Sequence, residues 1–321
     1  MIGALALLVY AVGAGTGGAA ALRHARWPHR VPRLGVAAWQ ALSGSVLIAL
    51  LLAGLSVFMP ATVVGMNLAE FLRTCVMALR AQYATPGGAL GHALAATATL
   101  ALTVRVTVLL VTGLRRARQD RDQHLTHLRL AARRDLELDA MILEHPMAAA
   151  YCLPGRANTV VLTTAAVAAL APAELAAVLV HERAHLRGRH HLVAAAALVL
   201  ARAVPFLPVF DWARQEQSRL LEMIADDQAA DHGTRLTVAR ALVHLAEGSV
   251  PAAALGAADI AAVARVQRLL APAPRLGVAR RVAITAAILV TAALPIAIAA
   301  APALAAAQME YCPITSPSGN A

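Results

Sequence analysis

Four stretches of this chain are too long and too apolar to be ordinary helices of a soluble core. Residues 1–22, 36–58, about 89–114 and about 282–305 are almost free of charge, and each reaches the ~20 residues with which a helix crosses a hydrocarbon layer of roughly 30 Å. Backbone in lipid must satisfy its own hydrogen bonds, so such segments are committed to helix. Composition agrees, with 59% hydrophobic and 14% charged residues and a mean hydropathy of +0.64, where soluble domains carry about a quarter charged. The first basic residue is Arg23, so residues 1–22 are expected to be a retained helix, since a cleaved leader has a basic start.

The charge pattern sets the expected topology. All 28 basic residues are arginine, and net charge is +10. These arginines flank apolar runs, and aromatics are only 3% of the chain, so direct nucleic-acid binding is not expected. They cluster at residues 23–33, at 115–134, and at Arg275, Arg280 and Arg281, whereas the 59–88 loop holds Arg73 and Arg80 beside Glu70. By the positive-inside rule the rich segments are cytoplasmic. The expectation is a multi-pass plasma-membrane protein with its N-terminus outside. Residues 1–114 form a three-helix membrane region, 115–281 a cytosolic domain, 282–305 the last span, and 306–321 a short outer tail. Cys75, Cys152 and Cys312 form no C-x-x-C pair, so neither a disulfide framework nor a thiolate metal site is expected; Cys152 reads as a buried apolar thiol.

Two features interrupt this frame. Residues 192–210 are nearly long enough to span but contain Arg202, Pro205 and Pro208, and no later run could bring the chain back before Arg275. They are read as a buried or re-entrant helix along the membrane surface of the cytosolic domain. Arg105 lies inside the third span; it either snorkels to cytoplasmic headgroups or marks function. Gly13 and Gly17 in the first span fit close helix packing.

The chemistry sits in "LAAVLVHERAHLRGRHHL", residues 175–192. His181-Glu182-Arg183-Ala184-His185 is H-E-x-x-H, and on a helix positions i and i+4 share a face, so both imidazoles reach one metal while the Glu addresses water. Pro172 suits a first helical turn, Glu174 complements the helix N-terminus, and Leu175, Val178, Leu179 and Leu186 make an apolar stripe. By chance the motif would arise roughly once per hundred such chains, so a third ligand is needed. Glu222 supplies it, followed one helical turn later by Asp226. Two His and one Glu form a set that zinc accepts with its fourth position open, and Asp226 is placed to hold the free ring nitrogen of a ligand histidine. Alone, Glu222, Asp226 and Asp227 would read as a solvated acidic face.

Zinc in such a site lowers the pKa of its water to about 7 and polarises a carbonyl, with Glu182 as base and then acid. His190 and His191, beside Arg187 and Arg189, read as a solvated or headgroup-facing cluster. His232 and His244 lie downstream of Glu222, but nothing in the spacing fixes them as oxyanion donors. Upstream, Pro154-Gly155 reads as a turn and Thr159–Thr163 as a strand. That strand is either an edge to which an extended peptide adds or an internal member of a small sheet.

"YCLPGRANTVVLTTAAVAALAPAELAAVLVHERAHLRGRHHL" followed by "EMIADDQAAD" resembles the BlaR/MecR-type membrane zinc metallopeptidases, and more distantly the HtpX and CAAX-prenyl endopeptidases of the gluzincin class. The resemblance covers roughly residues 115–250 closely and the helical frame loosely. It implies a mainly α fold of polytopic membrane helices with an inserted cytosolic α+β gluzincin-type zinc protease domain. By position it makes His181, His185 and Glu222 ligands of Zn2+, Glu182 the catalytic base and Asp226 their supporting carboxylate. The partners it implies are the bilayer and a protein substrate, either the chain itself or a BlaI/MecI-type winged-helix repressor; a homodimer is compatible with it. One departure stands out. The β-lactam sensors carry an outer penicillin-binding domain with a Ser-x-x-Lys nucleophile, whereas here about sixteen residues follow the last span and the chain has no lysine. The expected function is therefore regulatory cleavage driven by a partner, the lipid phase or the 59–88 loop. The alternatives are HtpX-like quality control and a catalytically idle zinc-binding scaffold. A transporter is disfavoured because polar residues avoid mid-span.

Overall fold

The computed structural model describes residues 2–56, 77, 88–155, 158–249, 257–271 and 276–309. Most of the 59–88 loop, Cys75, Cys312, Arg275 and the tail from residue 310 lie outside the described residues.

Four helices are long and apolar enough to cross a membrane, namely Gly3–His24, Pro32–Leu55, Ala93–Ala131 and Val278–Pro302. The first comprises α1 (Ile2–Gly13), a π-helical segment (Ala14–Gly18) and α2 (Ala19–His24). α3 (Pro32–Leu55) starts on a proline, whose missing N–H costs nothing in a first turn. α4 (Gly88–Ala131) runs unbroken through residue 114, where the sequence reading divides membrane from cytosol. Helical propensity carries the arginine-rich stretch on past the end of the apolar one.

α4 feeds directly into β1 (Ala132–Asp135), followed by β2 (Ala140–Leu143), β3 (Ala150–Leu153) and β4 (Thr159–Thr163). They form one sheet of order β1-β2-β4-β3, in which β2 and β4 are parallel and the other neighbours antiparallel. The β-branched stretch is therefore internal, Val160, Val161 and Leu162 being at most 2% exposed, and the edges are β1 and β3, which among the described residues pair only with β2 and β4 respectively. α5 (Thr164–Ala169) and α6 (Pro172–Arg187) follow. In α6 the Ala171 N–H donates to Glu174 Oε2 at 3.0 Å, one arm of a capping box. Val178, Leu179 and Leu186 pack with Ile142, Val160 and Leu162, seating α6 on the sheet.

Residues 192–210 are not one helix. α7 (His190–Ala203) ends before Pro205, and Pro208 starts α8 (Pro208–His232), because proline cannot continue a helix but readily begins one. The two make a hairpin whose tip is buried, with Val204, Val209 and Phe210 fully enclosed among Leu7, Trp39 and Val46 of the first two apolar helices. A Cβ on Gly15, in the π-helical segment, would lie 3.6 Å from Leu207, so the tip rests on that segment. Arg105 donates from Nε to the Ala203 carbonyl at 2.9 Å and from Nη2 to the Arg202 carbonyl at 2.8 Å. It thus caps the C-terminus of α7, where unpaired carbonyls and the negative end of the helix dipole favour a cation. α9 (Arg235–Ser249), α10 (Ala257–Leu270) and α11 (Val278–Met309) complete the described elements.

Candidate metal centre

α6 and α8 lie side by side and bring three donors to one point. His181 Nε2 and His185 Nε2 are 3.2 Å apart, and Glu222 places Oε2 3.5 Å from the first and Oε1 3.4 Å from the second. Ligand bonds of 2.0–2.1 Å in a tetrahedral zinc sphere require donors about 3.3–3.4 Å apart. The triangle has the size that such a sphere needs, and the donor chemistry, two imidazoles and one carboxylate, suits zinc with one position open. No other group of three His, Cys, Asp or Glu side chains that could hold a metal occurs among the described residues.

The ring nitrogens facing away from that point are both held. His181 Nδ1 lies 3.1 Å from Asp226 Oδ1, and His185 Nδ1 lies 3.0 Å from His190 Nδ1. A lone pair on Nε2 requires the proton on Nδ1, so His181 donates to the carboxylate and His185 donates to the neutral His190 ring. Burial drives His185 down to about 4 and also lowers His190, which keeps that pair uncharged. Burial works against charge on His181 too, but the hydrogen bonds it donates to Asp226 and Glu222 outweigh it and lift the imidazole to about 9, so a metal bound at Nε2 would take the place of a proton there.

His190 is therefore no part of a solvated cluster: it is buried, 6% exposed. It returns to the site because Arg189 adopts φ 49°, ψ 39°, a left-handed turn uncommon outside glycine. A side chain on Gly188 would overlap the His190 ring, with a Cβ 2.6 Å from its Cδ2. His191 is half-buried and lines the same cavity. His244 Nδ1 instead donates to Glu174 Oε2 at 2.8 Å, and His232 is exposed, bonded to the Gln228 carbonyl at 2.9 Å; the structure brings neither to the centre.

Arg265, on α10, carries no motif that spacing could reveal. Its guanidinium forks onto Asp226, with Nε 2.8 Å from Oδ2 and Nη2 2.6 Å from Oδ1, and its Nη1 lies 3.0 Å from Glu222 Oε2. Burial pushes the Asp226 carboxyl up, but Arg265 and His181 overcome it and hold Asp226 at about 2. Bidentate pairing of this kind is specific to arginine.

His181, His185, His190, Glu222 and Arg265 line a cavity of about 520 Å3 whose remaining wall includes Tyr151 and Cys152 of β3. Glu182 faces it, and burial raises its carboxyl above the usual range. Cys152 is a half-buried thiol bonded to Glu182, not an enclosed apolar one, and burial together with that carboxylate pushes it up to about 12. An ionisable pair, a metal-ready triangle and a strand edge unpaired among the described residues thus share one cleft.

The description of Peptidase family M48 matches the chain over residues 117–277, half of its 321 residues. No curated protein and no solved structure matches it.

Proposed function

Because the chain belongs to Peptidase family M48, a metallopeptidase family, we propose that it is an integral-membrane zinc endopeptidase that makes regulatory cuts in a cytosolic protein, in itself, or in both. The observation that carries this reading is the His181–His185–Glu222 triangle, sized for zinc and set beside Glu182 in an open cleft. His181, His185 and Glu222 would hold the zinc, which when bound would supply Lewis acidity toward a scissile carbonyl and acidify water. Glu182 takes a proton from the attacking water and returns it to the departing amine. Its burial, by raising the carboxyl, strengthens that hold on the proton. Asp226 and His190 fix the rings of His181 and His185, and Arg265 fixes Asp226. β3, whose outer edge is unpaired among the described residues, could take up an extended peptide, which favours protein substrates.

The domain limits follow the same reading: membrane helices over 1–114, the protease domain over 115–281, a last span over 282–305 and an outer tail over 306–321. In the proposed topology the protease faces the cytosol. Two contacts support placing the arginine-rich 23–33 turn on that side: His29 Nε2 is 3.5 Å from Glu216 Oε2, and Arg23 lies over the Trp212 ring, both partners being on the helix that carries Glu222.

The test uses full-length protein purified in detergent. Wild type should hold one zinc and generate fragments that Glu182→Gln, still zinc-loaded, does not. N-terminal sequencing of those fragments identifies the cut. One site in one regulator supports signalling, many sites in misfolded membrane proteins would move the assignment to HtpX-like quality control, and full cellular function in the Glu182→Gln strain would leave a zinc-binding scaffold.

A further inference from the structure

A second cavity lies among the apolar helices, away from the metal centre. Its volume is about 650 Å3, and it is walled by Leu8, Leu50, Ala98 and Leu102 and floored by Phe206 and Arg105. This is within the size range of ligand pockets, and apart from Thr99, Phe206 and the guanidinium its walls are aliphatic. Arg105 is ten residues ahead of Arg115 on one continuous helix, which at ~1.5 Å per residue puts it about 15 Å deeper, near mid-bilayer if α4 spans.

Among the described residues the charge there has no counter-charge. Residues 1–56, 88–114, 190–207 and 278–309 contain no Asp or Glu. The two carbonyls that Arg105 caps contribute only the partial negative charge of a helix end. They also hold the guanidinium at the hairpin tip, away from the headgroup level it would otherwise seek. Nη1 makes no hydrogen bond among the described residues, and the side chain is exposed. A fixed cation in hydrocarbon with a free donor beside an aliphatic cleft is a specific demand for an anion with an apolar tail.

We propose that this cleft binds a long-chain carboxylic acid, its chain among α1, α3 and α4 and its carboxyl on Arg105. A carboxylic acid can reach mid-bilayer in its neutral form, whereas a phosphodiester headgroup must be carried in charged. The site also has a route to the chemistry. Phe206 and Pro205 border the cleft, α8 begins at Pro208, and the same unbroken helix carries Glu222, about 21 Å along at ~1.5 Å per residue. The inference depends on the apolar helices spanning the bilayer and is independent of the protease reading.

Full-length protein in nanodiscs of zwitterionic lipid is photolabelled with a diazirine-bearing C16 fatty acid and mapped by mass spectrometry. The acid should label peptides from residues 93–105 and 203–206, and its methyl ester should label them at least about tenfold less, the weight of one charge-assisted hydrogen bond. Arg105→Gln should reduce the acid to the level of the ester. Equal labelling by acid and ester overturns the proposal, leaving ordinary boundary lipid, and so does labelling confined to other segments. Competition by phosphatidylglycerol stronger than by unlabelled fatty acid overturns it in favour of a headgroup site. The acid–ester comparison uses wild type, so it decides even if Arg105→Gln fails to fold. Neither arm needs zinc or turnover, and alkaline extraction of membranes checks the spanning helices separately.

Discussion

Replacing Arg265 by Met removes the guanidinium fork while keeping a long apolar stem in place. Asp226 is 1% exposed and its side chain has two partners, Arg265 and His181 Nδ1. Without Arg265 a buried carboxylate is left with one neutral-to-cationic ring, and stranding one member of a buried pair costs about 3–5 kcal/mol. For a domain of this size each kcal/mol moves Tm by ~2–4 °C, so the expected loss is roughly 6–20 °C. Arg214→Met is the control: Arg214 and its partner Asp211 are 43% and 54% exposed, and such a pair is worth no more than about 1 kcal/mol. Thermal unfolding in detergent, followed by tryptophan fluorescence, separates the two. The acid limb adds a second reading. Asp226 titrates below its ordinary value of 3.8, at about 2, so its stabilisation is complete above about pH 4 and is lost as pH falls toward 2. In Arg265→Met that loss should begin at higher pH. Adding Asp226→Asn to Arg265→Met should recover part of the stability, because the orphaned charge is gone. Equal Tm losses for Arg265→Met and Arg214→Met, or a double variant weaker than the sum of the singles, would refute the argument.

Three further outcomes are expected. His190→Ala should keep the fold but weaken zinc binding by about 10–100-fold in a chelator competition, since His185 loses its orienting partner. Glu174→Ala should lower stability by about 1 kcal/mol, measurable as denaturation midpoint, because the Ala171 N–H at the N-cap of α6 and His244 both lose their acceptor. Gly54→Ala should destabilise by about 1–3 kcal/mol, because the new Cβ would lie 2.9 Å from Thr99 Cβ where α3 and α4 touch; Thr99→Gly in the same chain should restore the midpoint.

Local patterns revealed what local physics controls. Long uncharged runs read as four apolar helices because backbone in hydrocarbon has no other continuous solution. The i, i+4 spacing of His181 and His185 put both rings on one face of α6, and the β-branched run at Thr159–Thr163 read as a strand with the bounds it has. What spacing cannot encode is distance between segments that meet only after folding. The approach of Glu222 to the two imidazoles comes from packing α8 on α6, and Arg265 reaches Asp226 from a helix 39 residues further on. A single left-handed residue, Arg189, turned His190 from surface to partner. Which strand lies at the edge, and that Arg105 caps a helix 97 residues away, depended likewise on topology. A sequence states periodicity and charge directly, but a donor finds its acceptor across the chain only when burial of the apolar faces has decided which helices touch.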